Sequence, residues 1–273
     1  MRRYVLACVF VALVSAPLSA ELKFTSKMTA RAVAGAAPAG NDMMAAMVGP
    51  MLLQMYGGLE GVEMAVTINE DGRMRTDYAA SFVGMPPGTV VLLRADGTSV
   101  GYDAAAKTWW KMTDGGANPE MTAMLAQMKP EVTSKRTGEF ATVAGLKAER
   151  VTMVMIMPIP MPPGAENLPA EIMAMIPKEI RMDGDMWQAP VYGKYTKGMT
   201  KALSQGPMAA MGLEKLMGGL EGFTVRQVMR MSMLAGYEME TVVTRAAEQD
   251  VPDTVFDLPE GFKEIPMPTA VIR

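Results

Sequence analysis

The chain has 273 residues, 49% hydrophobic and 20% charged, with a formal net charge of −3, 26 Gly, 19 Pro, no His and one Cys. That length supports a sizeable core in one large or two small domains, and the composition is neither disordered nor collagen-like. Without His there is no Ser-His-Asp triad, no His-bearing zinc site and no imidazole acid or base, and no basic patch in the sequence points to nucleic acid.

Residues 1–20 read as an export signal. Arg2 and Arg3 form a basic start, Tyr4 to Val14 is an apolar run too short to span a membrane, and Ser15 to Ala20 offers small residues for cleavage after about Ala20. Cys8 lies inside the apolar run, so the mature chain, 21–273, holds neither Cys nor His and carries a net charge of −5 once Arg2 and Arg3 leave. Disulfides, thiol catalysis and thiolate metal sites go with it. The expected location is the periplasm.

From there the chain reads as strands and turns. Leu22, Phe24 and Met28 alternate with Lys23, Thr25 and Lys27, the period of a half-buried strand. Val62 to Ile68 and Met74 to Tyr78 repeat it around the Asp71-Gly72 turn. Val90 to Arg94, Ser99 to Tyr102 and Thr108 to Met112 form a meander with an Asp96-Gly97 turn. A helix is expected from Asn118 to about Met128, and strands at Thr133 to Phe140 and Leu146 to Met157. Pro158 to Pro177 holds six prolines and reads as an extended loop. Met182 to Gln188 is a short strand, Tyr195 to Met217 keeps a helical spacing, and Thr224 to Leu234 pairs with Tyr237 to Ala246. The expectation is one mostly β domain: a single antiparallel sheet of eight to eleven strands with helices on one side.

Methionine is the compositional oddity, with 31 in the chain. Met43, Met47, Met51 and Met55 fall at i, i+4 spacing, one stripe of a helix that could serve as a lid. Met153, Met155 and Met157 share one strand face, as do Met229, Met231 and Met233. Three readings stay open: ordinary core, an adaptable lining for a flexible apolar ligand, or thioether ligands for Cu(I), with Met153 to Met161 the place for the last. Asp183-Gly184-Asp185 reads as a turn, and the pairs Glu60 with Glu63 and Glu238 with Glu240 read as solvated strand edges. No catalytic constellation, resident metal or cofactor is expected, and the protein is read as non-enzymatic.

Four stretches carry a family resemblance: Thr137-Gly138-Glu139 with Val143 to Ala148, Asp185-Met186-Trp187, Gly222 to Arg226, and Val251 to Phe262. They resemble a family of exported bacterial proteins of unknown function that is itself similar to the LolA/LolB-like lipoprotein-carrier superfamily. The resemblance spans roughly residues 21 to 265. It implies a bent, unclosed antiparallel half-barrel with helices covering a hydrophobic concavity that carries acyl chains. Residues 30–58 and 158–177 look like insertions into that layout, and no residue here matches the lid-latching arginine of the lipoprotein carriers. The expected function is a monomeric carrier or sensor of an apolar ligand, contacted by Trp109, Trp110, Trp187 and the methionine faces. Alternatives are a copper-handling protein and an envelope assembly module that binds protein partners.

Overall fold

The computed structural model describes residues 19–33, 60–82, 85–112, 130–159, 178–205, 221–232 and 236–268. Its strands are β1 (Ser19–Ala32), β2 (Val62–Ile68), β3 (Met74–Tyr78), β4 (Thr89–Leu93), β5 (Ser99–Asp103), β6 (Thr108–Lys111), β7 (Glu131–Val143), β8 (Leu146–Pro158), β9 (Glu179–Ala189), β10 (Phe223–Met231), β11 (Tyr237–Val251) and β12 (Lys263–Glu264). Helix α1 (Gly193–Gln205) follows a 3-10 turn at Pro190–Tyr192, and a second 3-10 turn at Asp253–Phe256 precedes β12.

All twelve strands join one sheet in the order β12-β6-β5-β4-β3-β2-β1-β11-β10-β9-β8-β7. Every neighbouring pair is antiparallel except β12 with β6. The sheet is not closed. It curls, because β7 contacts β11 although it stands four places away in the order. The count exceeds the expected eight to eleven by the two-residue β12, which is too short to leave a periodic trace.

Turn chemistry fixes the hairpins. Gly72 (φ 87°) and Gly97 (φ 78°) sit where a left-handed backbone is required, and Ala144-Gly145 (φ 49° and 79°) closes the β7–β8 hairpin as a two-residue turn. Both edges are blunted against further pairing. β12 has only two residues, and β7 bulges between Arg136 and Phe140 amid charged side chains.

Residues directly opposite in an antiparallel pair share a face, so the register sorts the sheet into two sides. One row runs Met153, Gly184, Met229, Met239 and Ala30 across β8, β9, β10, β11 and β1. The next holds Met155, Met182 and Met231. Alternation along β1 puts Leu22, Phe24 and Met28 on that same side, and their partners extend it to Val62, Met64, Val66, Ile68 and Met74. With Met157 and Met186, all eleven methionines of the described strands face one way. Fully burying each is worth about 1.5–3 kcal/mol, and Met153, Met155, Met186 and Met229 are all under 9% exposed.

Two sequence readings need correction. Asp183-Gly184-Asp185 is not a turn; it lies inside β9. Glycine stands there because a Cβ would meet Met229 Sδ at 2.8 Å and Met153 Cε at 3.3 Å, so two thioethers occupy the space a side chain would take. Glu238 and Glu240 are not solvated edges either. They lie on β11 in the interior of the sheet, with side chains 8% and 13% exposed.

Candidate functional site

The side opposite the methionines carries a continuous chain of ion pairs. Glu139, Arg150, Asp185, Arg230, Glu238, Arg31, Glu240 and Arg226 link in that order across β7, β8, β9, β10, β11 and β1. The signs alternate, so no net charge accumulates. Trp187 shares this side with Arg150 and Arg226, its register partners, and the Arg226 and Arg150 guanidinium carbons lie 4.5 and 5.9 Å from its ring. Burial alone would raise the Glu238 carboxyl. Hydrogen bonds from Arg31 and Arg230 outweigh it and hold the group below the ordinary value of 4.5.

A folded-state pKa below the unfolded one gives stability that is complete above the unfolded value and is lost as pH falls through the folded one. Wild type is therefore expected to lose more stability than Glu238→Gln between about pH 5 and about pH 3. Urea titrations across that range measure the difference, and parallel curves would contradict this role.

The methionine side carries α1. Pro190 opens the turn into the helix, and Tyr195, Thr196, Gly198 and Ala202 form its buried stripe while Lys194, Lys197 and Lys201 face solvent. Glycine allows contact at two points. A Cβ on Gly193 would meet the Glu221 carbonyl oxygen at 2.8 Å. One on Gly198 would fall on the Glu70 carbonyl oxygen and within 2.8 Å of Gly72 N, so the helix backbone rests directly on the β2–β3 turn.

Polar contacts fix the helix in place. Tyr195 is fully buried; its hydroxyl donates to Glu248 Oε1 at 2.8 Å and lies 3.0 Å from the Ala20 carbonyl oxygen. Burial and the Glu248 carboxylate push the Tyr195 phenol up to about 12. Lys194 bridges Glu70 and Glu248 at 2.8 and 2.9 Å, and both hold its ammonium in the charged form. The Thr196 hydroxyl donates to the Gly222 carbonyl at 3.2 Å.

Beneath α1 the core joins Leu22, Ile68, Tyr195, Phe223, Val225 and Val243, with Phe24 edge-on to Phe223 at 4.9 Å. A cavity of about 160 Å³ remains between helix and sheet, lined by Phe24, Ile68, Met74, Thr196, Met199, Phe223 and Thr224. That matches the volume at which a dry apolar cavity accepts one aromatic ring, and is below the roughly 300 Å³ at which ligand pockets begin. A longer chain enters only if thioethers or the helix yield.

The structure brings together part of the residue set expected from sequence. Met153, Met155, Met157, Met229 and Met231 share the α1 side, and Trp110 joins them through the row Phe24, Val66, Thr76, Val91, Gly101 and Trp110. Trp110 is fully buried at the far end of the sheet, with its ring against Gly101. Trp109 lies on the other side, beside Tyr102, Leu258 and Phe262, and Trp187 lies with the ion pairs. Met43, Met47, Met51, Met55, Met161 and Met233 lie outside the described residues, as does the helix expected at Asn118 to Met128.

Sequence reading missed the α1 docking residues Gly198 and Tyr195. Only the pairing of Gly72 with Gly198 in space gives the glycine meaning, and nothing local signals it.

No family model matches the chain, and no curated protein matches it. Among solved structures the chain is similar to a LolA superfamily protein from Nitrosomonas europaea, at 5% sequence identity, covering 87% of this chain and 90% of that one, with a TM-score of 0.31. A likeness that distant carries no functional weight, so function must come from this chain's own residues. Among the described residues no helix is long and apolar enough to cross a membrane.

Proposed function

We propose that this protein is an exported, non-catalytic binding protein that holds an acyl chain or lipid against the methionine side of its sheet, with α1 as the cover. The observation that carries this reading is the one-sided placement of all eleven methionines of the described strands, on the side where α1 and the 160 Å³ apolar cavity lie. Unbranched, polarizable thioethers re-pack around a flexible chain at small cost, whereas branched side chains do not. Burying about ten methylenes is worth roughly 8 kcal/mol before the helix is displaced, which is micromolar binding with no polar recognition. The basic start and apolar run of residues 2–14 support export to the periplasm.

Fluorescence titration of delipidated, refolded protein with cis-parinaric acid tests this. Wild type is expected to bind saturably, and Met199→Arg to bind on the order of tenfold more weakly, because a charge in the cavity wall must be desolvated or turned out. A wild type that takes up no fatty acid would overturn the proposal.

A further inference from the structure

The ion-pair side of the sheet contains a second, larger cavity that the apolar-ligand reading does not use. Two register rows form its floor: Arg75, Thr67, Lys23 and Ala247, then Asp77, Ala65, Thr25 and Arg245, across β3, β2, β1 and β11. Alanine and threonine keep the floor low between long cationic side chains. Val251 and Val255, the latter on the 3-10 turn at Asp253–Phe256, close one end, and the volume is about 480 Å³. That lies within the range of small-molecule sites.

The charge balance of this groove runs against that of the chain. The protein is net negative, yet the groove is lined by three cations and one carboxylate. Asp77 is engaged by Arg75 through two hydrogen bonds of 2.7 and 2.8 Å. Lys23 and Arg245 have no carboxylate partner among the described residues, whereas Arg31, Arg226 and Arg230 on the same side are each paired. Two cations with no carboxylate partner among the described residues, set beside threonines and an apolar end wall, suit an oxyanion with an apolar body.

We infer that this groove binds a phosphate- or carboxylate-bearing amphipathic small molecule, with Lys23 and Arg245 holding the oxyanion. The site is on the opposite side of the sheet from α1, and Phe24 lines both it and the apolar cavity.

Calorimetric titration of the full chain with inorganic phosphate and with dihexanoyl phosphatidic acid, at low and high salt, tests this inference. Wild type is expected to bind with an affinity that falls as salt rises. Lys23→Gln combined with Arg245→Gln should weaken binding on the order of tenfold, the loss of one or two charge-assisted hydrogen bonds. Asp77→Asn, which frees the Arg75 fork, should strengthen it, a gain that misfolding cannot mimic. Tighter binding of the lipid phosphate supports a lipid-borne oxyanion, and equal binding of both probes supports a free one. Inorganic phosphate has no acyl chain, so its binding separates this groove from the acyl site. No binding of either probe, or a Lys23/Arg245 double variant that binds like wild type, would overturn the assignment.

Discussion

Gly198→Ala is expected to destabilise the protein by about 2 kcal/mol net, against the usual direction for a helix interior. Alanine gains about 1 kcal/mol over glycine in helix propensity. The new methyl, however, would overlap the Glu70 carbonyl oxygen and crowd Gly72 N, both backbone atoms that no rotamer change can move. Overpacking of this kind costs about 3 kcal/mol, so overlap wins over propensity. Gly72 cannot yield by changing conformation, because its φ of 87° is already fixed by the β2–β3 turn. Gly184→Ala makes the contrast: its Cβ meets only the thioether ends of Met229 and Met153, which can swing aside, and a much smaller loss follows. Urea denaturation of both variants measures the difference. A Gly198→Ala protein as stable as wild type would mean that α1 does not rest on the turn.

Tyr195→Ala carries the largest expected loss, about 3–5 kcal/mol. The ring is fully buried at the junction of α1 with Leu22, Ile68 and Phe223. Tyr195→Phe should lose only about 1 kcal/mol, since it removes one hydrogen bond while Lys194 still satisfies Glu248. The gap between the two variants separates packing from polar anchoring in the seating of the helix. Equal losses would show that the Glu248 contact, not the ring, holds α1 down.

The sheet was legible in sequence where period and turn chemistry agreed. Val62 to Ile68, the Asp71-Gly72 turn and the meander from Val90 to Met112 emerge close to where the alternation puts them. The methionine faces at 153/155/157 and 229/231 were also readable, because alternation along one strand is a local property. What sequence could not give was sheet order. Lys23, Arg75 and Arg245 meet only because β3, β2, β1 and β11 are neighbours, with Arg245 more than two hundred residues from Lys23 in the chain. Glu238 and Glu240 read as edge acids for the same reason; their cationic partners come from β1 and β10. Asp183-Gly184-Asp185 misled because a glycine between acids is locally a turn signal, and the thioethers that fill its place come from two other strands. Residue type alone groups the tryptophans, yet Trp109 and Trp110 are consecutive on β6 and face opposite ways.

The proposed acyl-bearing ligand lies on the methionine side under α1. Native mass spectrometry with lipid extraction, on protein purified without detergent, tests this most directly. An added mass is expected, which extraction resolves into a fatty acid or phospholipid, and which Met199→Arg reduces while the Lys23/Arg245 double variant retains it. A bare polypeptide mass from protein that also ignores added fatty acid would contradict this and leave the eleven methionines as core.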